Sequence, residues 1–164
     1  MTVSSLKPSK LWKQISAEDR LETARAFWTD AGDVAAQAEA VEALARHLKF
    51  RARSVIALPI EKRARYLSSL PAVSDSLAAR LLVSYHLTCQ RPMMAAFLDA
   101  LGVAHEDGLI TAEEVKLPDA DTCRRAARAL LTTFPREQVS TYFATLLLQD
   151  PDAWAPLQDI VNEG

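Results

Sequence analysis

The sequence predicts an all-α fold, a compact bundle of about eight helices. Three observations carry that prediction. Apolar residues recur three and four positions apart almost from end to end. Only four glycines occur in 164 residues, and most prolines stand where helices would begin rather than inside them. Alanine and leucine, both strong helix formers, are abundant, and no stretch alternates apolar and polar residues as a half-buried strand would.

Ser16 opens the first clear helix, with Asp19 three positions on as a weak capping box. Leu21, Ala24, Phe27 and Trp28 form its stripe, which ends near Gly32. The next helix starts after Asp33, and Val34, Ala38, Val41, Leu44, Ala45 and Leu48 give it an amphipathic rhythm. Together these make an N-terminal helical hairpin over 11–50. Pro59, Pro92, Pro135 and Pro151 each precede a helical pattern, where a missing N–H does no harm and the fixed φ suits a first turn. Ser74 or Asp75 caps the segment that carries Leu77, Leu81, Leu82, Val83, Tyr85 and Leu87, which reads as the most enclosed helix. Further helices follow at 93–101, 122–134, 139–149 and 153–161, the last with Asp150 as its N-cap.

The length suits one helical domain over 1–164. Within it, the triplet 58–101 resembles the triplet 117–161, with 102–116 as a connector. Each opens on Leu-Pro, runs a basic helix into "LSSLP" or "LTTFP", and continues with a long apolar helix and a short amphipathic one. A degenerate duplication of a three-helix unit explains this, because each copy would bury its apolar face against the other. The alternative is that two proline-punctuated triplets look alike once gaps are allowed.

A hydrophobic fraction of 49% and a charged fraction of 24% are those of an ordinary globular protein. The first residues lack the apolar run of a secretion signal, and no segment reaches about 18 uninterrupted apolar residues. Cys89 and Cys123 are too few for a disulfide framework. The expectation is a reduced, cytoplasmic chain with no membrane partner. Twelve Lys/Arg stand against eight Asp/Glu through Arg65, and seven against thirteen beyond it, which together give the net charge of −2. Such polarity can orient a partner or favour head-to-tail self-association.

Candidate chemistry is sparse. The stretch 103–114 resembles an EF-hand calcium loop over twelve residues: Gly108 supplies the turn, Ile110 the hydrophobic bridge and Glu114 the last carboxylate, with Asp107 and Thr111 in ligand positions. It departs from that pattern at Val103 and His105, which occupy ligand positions, and Pro118 falls where an exiting helix should run. A connector explains the residues with less strain. Gly102 ends a helix, "HEDG" turns, Leu109 and Ile110 tuck back onto the core, and Thr111 with Glu114 caps a brief helical turn. His86, Cys89, His105 and Cys123 reach the ligand count of a zinc site, but only the first two are closely spaced. The expected metal and cofactor content is none. No serine elbow, Cys-His signature or phosphate loop is present, so no residue takes a catalytic role.

The basic run stands out. From Arg46 to Arg65, seven cations (Arg46, Lys49, Arg51, Arg53, Lys62, Arg63 and Arg65) face one acid, Glu61, with His47 and Phe50 among them. Cations at a helix C-terminus are favoured by its dipole whatever the function. The leading expectation is a non-enzymatic protein-interaction or scaffolding module that docks another protein or itself, through this run or a groove between the triplets. Trp12, Trp28 and Trp154 would be anchors if exposed and core otherwise. The alternative is a small helical nucleic-acid-binding or regulatory protein that uses 46–65.

Overall fold

The computed structural model describes residues 6–30 and 32–163. The chain is all-α: ten α-helices among the described residues, a 3-10 turn and one minimal hairpin. The helices are α1 (Pro8–Gln14), α2 (Ala17–Thr29), α3 (Val34–Leu48), α4 (Ala52–Ile56), α5 (Ile60–Ser68), α6 (Asp75–Cys89), α7 (Arg91–Leu101), α8 (Ala120–Thr133), α9 (Arg136–Gln149) and α10 (Gln158–Asn162). The two beyond the expected eight are α1 and α4, both too short to show a periodicity. The chain divides into two compact units, the first from Lys7 to Cys89 and the second from Gln90 onward with Leu6. That division falls inside the stretch 58–101.

In the first unit α2 packs against α5 and α6, while α6 also takes α1 on another side. Ser16 Oγ accepts from the Asp19 N–H at 3.1 Å, and Asp33 Oδ1 from the Ala36 N–H at 3.3 Å, so both expected caps form. Ser74, not Asp75, caps α6, its Oγ accepting from the Leu77 N–H at 3.1 Å. Asp75 is used elsewhere: its carboxylate accepts from the Ser9 N–H at 3.1 Å, at the start of α1. Trp12 and Trp28 are buried, and the Arg63 guanidinium lies 5.1 Å from the Trp28 ring centre. On α3 the buried stripe is Ala36, Ala40, Val41 and Leu44, whereas Val34, at 70% exposure, and Ala38 face outward. Of the expected stripe, Val41 and Leu44 are buried and Ala45 and Leu48 half-buried; small Ala36 and Ala40, which let the helix approach its neighbours, complete it in place of Val34 and Ala38.

In the second unit α9 is the most enclosed helix, not α6: every residue from Thr141 to Leu147 is buried. The hydroxyls of Thr141 and Thr145 donate to carbonyls one turn back, at 2.9 and 2.8 Å, which satisfies two polar groups inside the core. Phe97 of α7 gathers Tyr142, Phe143 and Trp154, with ring centres 5.8, 5.0 and 6.1 Å away. All three tryptophans are therefore core. Asp150 Oδ1 accepts from the Ala153 N–H at 3.1 Å, but what it caps is a turn that tightens into the 3-10 segment Ala155–Leu157 before α10. The ends of α5 and α8 share one detail. Ser68 and Ser69 donate to the Arg65 carbonyl, and Thr132 and Thr133 to the Ala129 carbonyl, each pair close before a proline.

The connector holds a hairpin, β1 (His105–Glu106) paired antiparallel with β2 (Leu109–Ile110). Asp107 and Gly108, both at positive φ (50° and 89°), form its two-residue turn, the Asp-Gly pair such turns favour. Arg91 donates to the Asp107 carbonyl at 3.0 Å. His105 must carry its proton on Nε2, which donates to Asp99 at 2.6 Å, because Nδ1 accepts from the Gly108 N–H at 3.0 Å. Contrary to expectation, Leu109 is 50% exposed and Thr111–Glu114 forms no helical turn. Pro118 disfavours helix at the residue before it, and regular structure resumes only where Asp119 caps α8, accepting from the Thr122 N–H at 2.7 Å.

Two outcomes test this packing. A Cβ at Gly108 would sit 2.9 Å from Met94 Cβ, at a φ that L-residues resist. Gly108→Ala should therefore cost about 2 kcal/mol in urea unfolding; an unchanged midpoint would mean the hairpin does not rest on α7. His86 donates from Nδ1 to the Leu82 carbonyl at 2.9 Å, and burial pushes its pKa down to about 4, only partly opposed by that bond. Between the ordinary 6.5 and about 4 the unfolded chain binds this proton more readily. The contribution is therefore full above that window and lost as pH falls through it. The urea midpoint should drop across the window in the native chain, and His86→Gln should remove that component. A native midpoint that stays level would mean water reaches the imidazole.

Candidate functional site: a basic and apolar face of the first unit

The segment between α3 and α5 is short, and little of it can turn inward. Val55 is the apolar residue that does, being fully buried. Phe50, Ile56 and Ile60 stay 44%, 59% and 42% exposed. Around them Lys49, Arg51, Arg53 and Lys62 are also exposed and, among the described residues, make no ion pair. Exposed apolar residues and exposed cations are therefore interspersed along the chain from 49 to 62.

The seven cations expected to act together divide by role. Arg63 covers Trp28 and donates from Nε to the Leu58 carbonyl at 3.2 Å, so it belongs to the packing. Arg65 leans on Glu61 at 3.5 Å, an acid already held by Arg25 through two bonds of 2.7 and 2.8 Å. That clamp holds the Glu61 carboxyl below its usual range. Arg46 and Lys49 lie at the end of α3, where the helix dipole welcomes them. Arg51 lies at the N-cap of α4, where a helix end favours acids instead, so helix stability does not explain its charge; Arg53 falls within the last turn of this five-residue helix.

The first unit also holds a groove of about 580 Å³, lined by α3 residues including Glu39, Arg46 and His47 and by 70–74, with no residue of 49–62 in its lining. Glu39 accepts from the hydroxyls of Ser74 and Ser76 at 2.8 and 3.2 Å. These bonds fix the start of α6 but leave Glu39 charged, so the groove carries one carboxylate, Glu39, and one guanidinium, Arg46.

Lys49 has a left-handed backbone, φ 58°, and closes α3 with its N–H on the Ala45 carbonyl. Glycine is the usual residue at such a position. A lysine held there carries strain of about 1 kcal/mol, and the charge is kept despite it.

The metal candidates do not assemble. Among the described residues, the one group of metal-competent side chains within mutual reach is Asp19, Glu22 and Cys89. Of the zinc-like set only Cys89 is in it; His86, His105 and Cys123 are not, nor are the EF-hand-like acids. Asp107 faces Arg91 at 3.7 Å, and both ring nitrogens of His105 are engaged. Burial raises the Cys89 pKa; the Thr23 hydroxyl partly opposes this, and Asp19 and Glu22 add to it, so the sulfur stays protonated near neutral pH. Sequence reasoning missed the groove, the Asp19–Glu22–Cys89 group and the exposure of Ile56 and Ile60. The available signal was the nearly unbroken exposure implied by a charged segment too short to bury two faces.

Compared with family models, curated proteins and solved structures, the chain finds no match. Lys49→Gly should raise stability by about 1 kcal/mol in urea unfolding by releasing the left-handed strain. A loss instead would mean that the lysine side chain stabilises the fold.

Proposed function

We propose that this chain is a non-enzymatic protein-interaction module, and that its docking surface is the basic, apolar face at 49–62, with Arg46 in the groove of the same unit. The observation that carries this reading is that one short stretch of chain holds Phe50, Ile56 and Ile60, all exposed, together with Lys49, Arg51, Arg53 and Lys62, all exposed and free of acidic partners among the described residues. Apolar side chains supply burial when covered, and the surrounding cations select and steer an acidic partner. The partner chemistry is therefore an acidic surface with apolar residues set among its carboxylates. Free thiols at Cys89 and Cys123 fit a reducing compartment such as the cytoplasm. No helix among the described residues is long and apolar enough to cross a membrane. The matching hydroxyl closures of α5 and α8 are what a duplicated helical unit would leave behind.

The probe is a synthetic peptide of glutamates and leucines, titrated by fluorescence anisotropy against the full chain, with a single-stranded oligonucleotide as competitor. Binding should weaken roughly tenfold or more in Arg51→Glu/Arg53→Glu, and several-fold in Phe50→Ala, where apolar burial is lost. Arg136→Glu, an exposed charge of the second unit, should leave it unchanged. Preference for the oligonucleotide, with affinity falling steeply as salt rises, would replace this reading with nucleic-acid binding.

A further inference from the structure

The second unit carries a surface of the opposite character. In the hairpin register Glu106 lies opposite Leu109, and His105 opposite Ile110. Directly opposed residues of an antiparallel pair share one face of the ribbon. The face with His105 and Ile110 is the more covered, since His105 is bonded to Asp99 of α7. The other face presents Glu106 and the half-exposed Leu109. Beyond β2 the chain stays irregular, with Glu113 and Glu114 both exposed. Among the described residues these three glutamates make no ion pair, whereas Asp107 is turned to Arg91. Lys116, further on, is the one cation of the segment.

We propose that the occupant of the basic, apolar face is a second copy of this chain, which docks through its acidic hairpin and connector, 106–114. This rests on the reading above that 49–62 is a docking surface, and it supplies the partner. The match is chemical on both counts. The stretch 106–114 holds three exposed carboxylates and one exposed leucine; the stretch 49–62 holds four exposed cations with Phe50, Ile56 and Ile60. The hairpin strands are only two residues long, so recognition runs through side chains rather than an added strand. Two different surfaces meeting make a heterologous contact, which closes as a reciprocal pair or ring, or else propagates. The net charge of −2 leaves little overall repulsion to oppose it, and the uneven distribution of charge along the chain supplies the attraction.

The test is sedimentation velocity of the full chain over a range of concentrations, at about 50 mM and about 500 mM salt, because screening weakens exposed charge pairs. Native protein should associate with rising concentration at low salt and dissociate at high salt. Two variants should each be monomeric alone: Arg51→Glu/Arg53→Glu, and Glu106→Lys/Glu113→Lys/Glu114→Lys. Their equimolar mixture should associate, because each reversed surface then meets its complement. All five side chains are exposed, so circular dichroism should confirm that both variants remain folded. A native chain that stays monomeric throughout, association that survives the hairpin reversal, or a mixture that stays monomeric would each overturn the proposal. The glutamate–leucine peptide separates this from the underlying reading. If the chain is monomeric yet binds the peptide through 49–62, only the self-association falls. If it binds neither, both fall.

Discussion

The packing of α2 against α5 and α6 is the constraint on which the first unit depends. Ala24, Phe27 and Trp28 of α2 are buried, Arg63 closes over Trp28, and the exposed Arg25–Glu61 clamp ties α2 to α5. The clamp is exposed and contributes little stability by itself. Once α3 and α5 are placed, the chain between them buries Val55 alone. Phe50 and Ile56 of that chain, and Ile60 at the start of α5, stay exposed. The candidate docking face is thus what the core leaves uncovered.

That origin also explains the division of labour among the cations. Those lying over the α2–α5 contact serve the packing, as Arg63 does, or lean on Glu61, as Arg65 does. Those along the short segment have nothing beneath them to serve. In the second unit α9 and the Phe97 cluster bury apolar residues, while Glu106, Leu109, Glu113 and Glu114 of the connector are left to solvent. Two units built by the same rules leave complementary remainders.

Much of this was legible in the sequence. Ser16 and Asp33 announced helix starts because a side-chain acceptor at that position has one good use. The tryptophans read as core at helical spacing, and they are. The all-α class followed from a periodicity sustained over most of the chain. Other features were not legible for physical reasons. The stripe of α3 differs in part because Ala36 and Ala40 owe their burial to close approach, which residue size does not signal. A strand of two residues cannot show alternation, so His105–Ile110 looked like a turn although its Asp-Gly pair is a hairpin signal. The helix at 52–56 is shorter than two turns and has no period to detect. Exposure of Ile56 depends on what neighbouring helices leave uncovered, and a single sequence does not contain that.

The central claim is that Phe50, Ile56 and Ile60 stand in water in the monomer and are covered when the face is occupied. Hydroxyl-radical footprinting of the full chain reads side-chain accessibility directly, at high salt and in the presence of a saturating occupant. The account predicts strong labelling of Phe50, Ile56 and Ile60 in the monomer, with Trp12, Trp28 and Trp154 silent as an internal control, and loss of labelling at all three positions on binding. Protection of those three in the monomer, or occupancy that leaves their labelling unchanged, would contradict it.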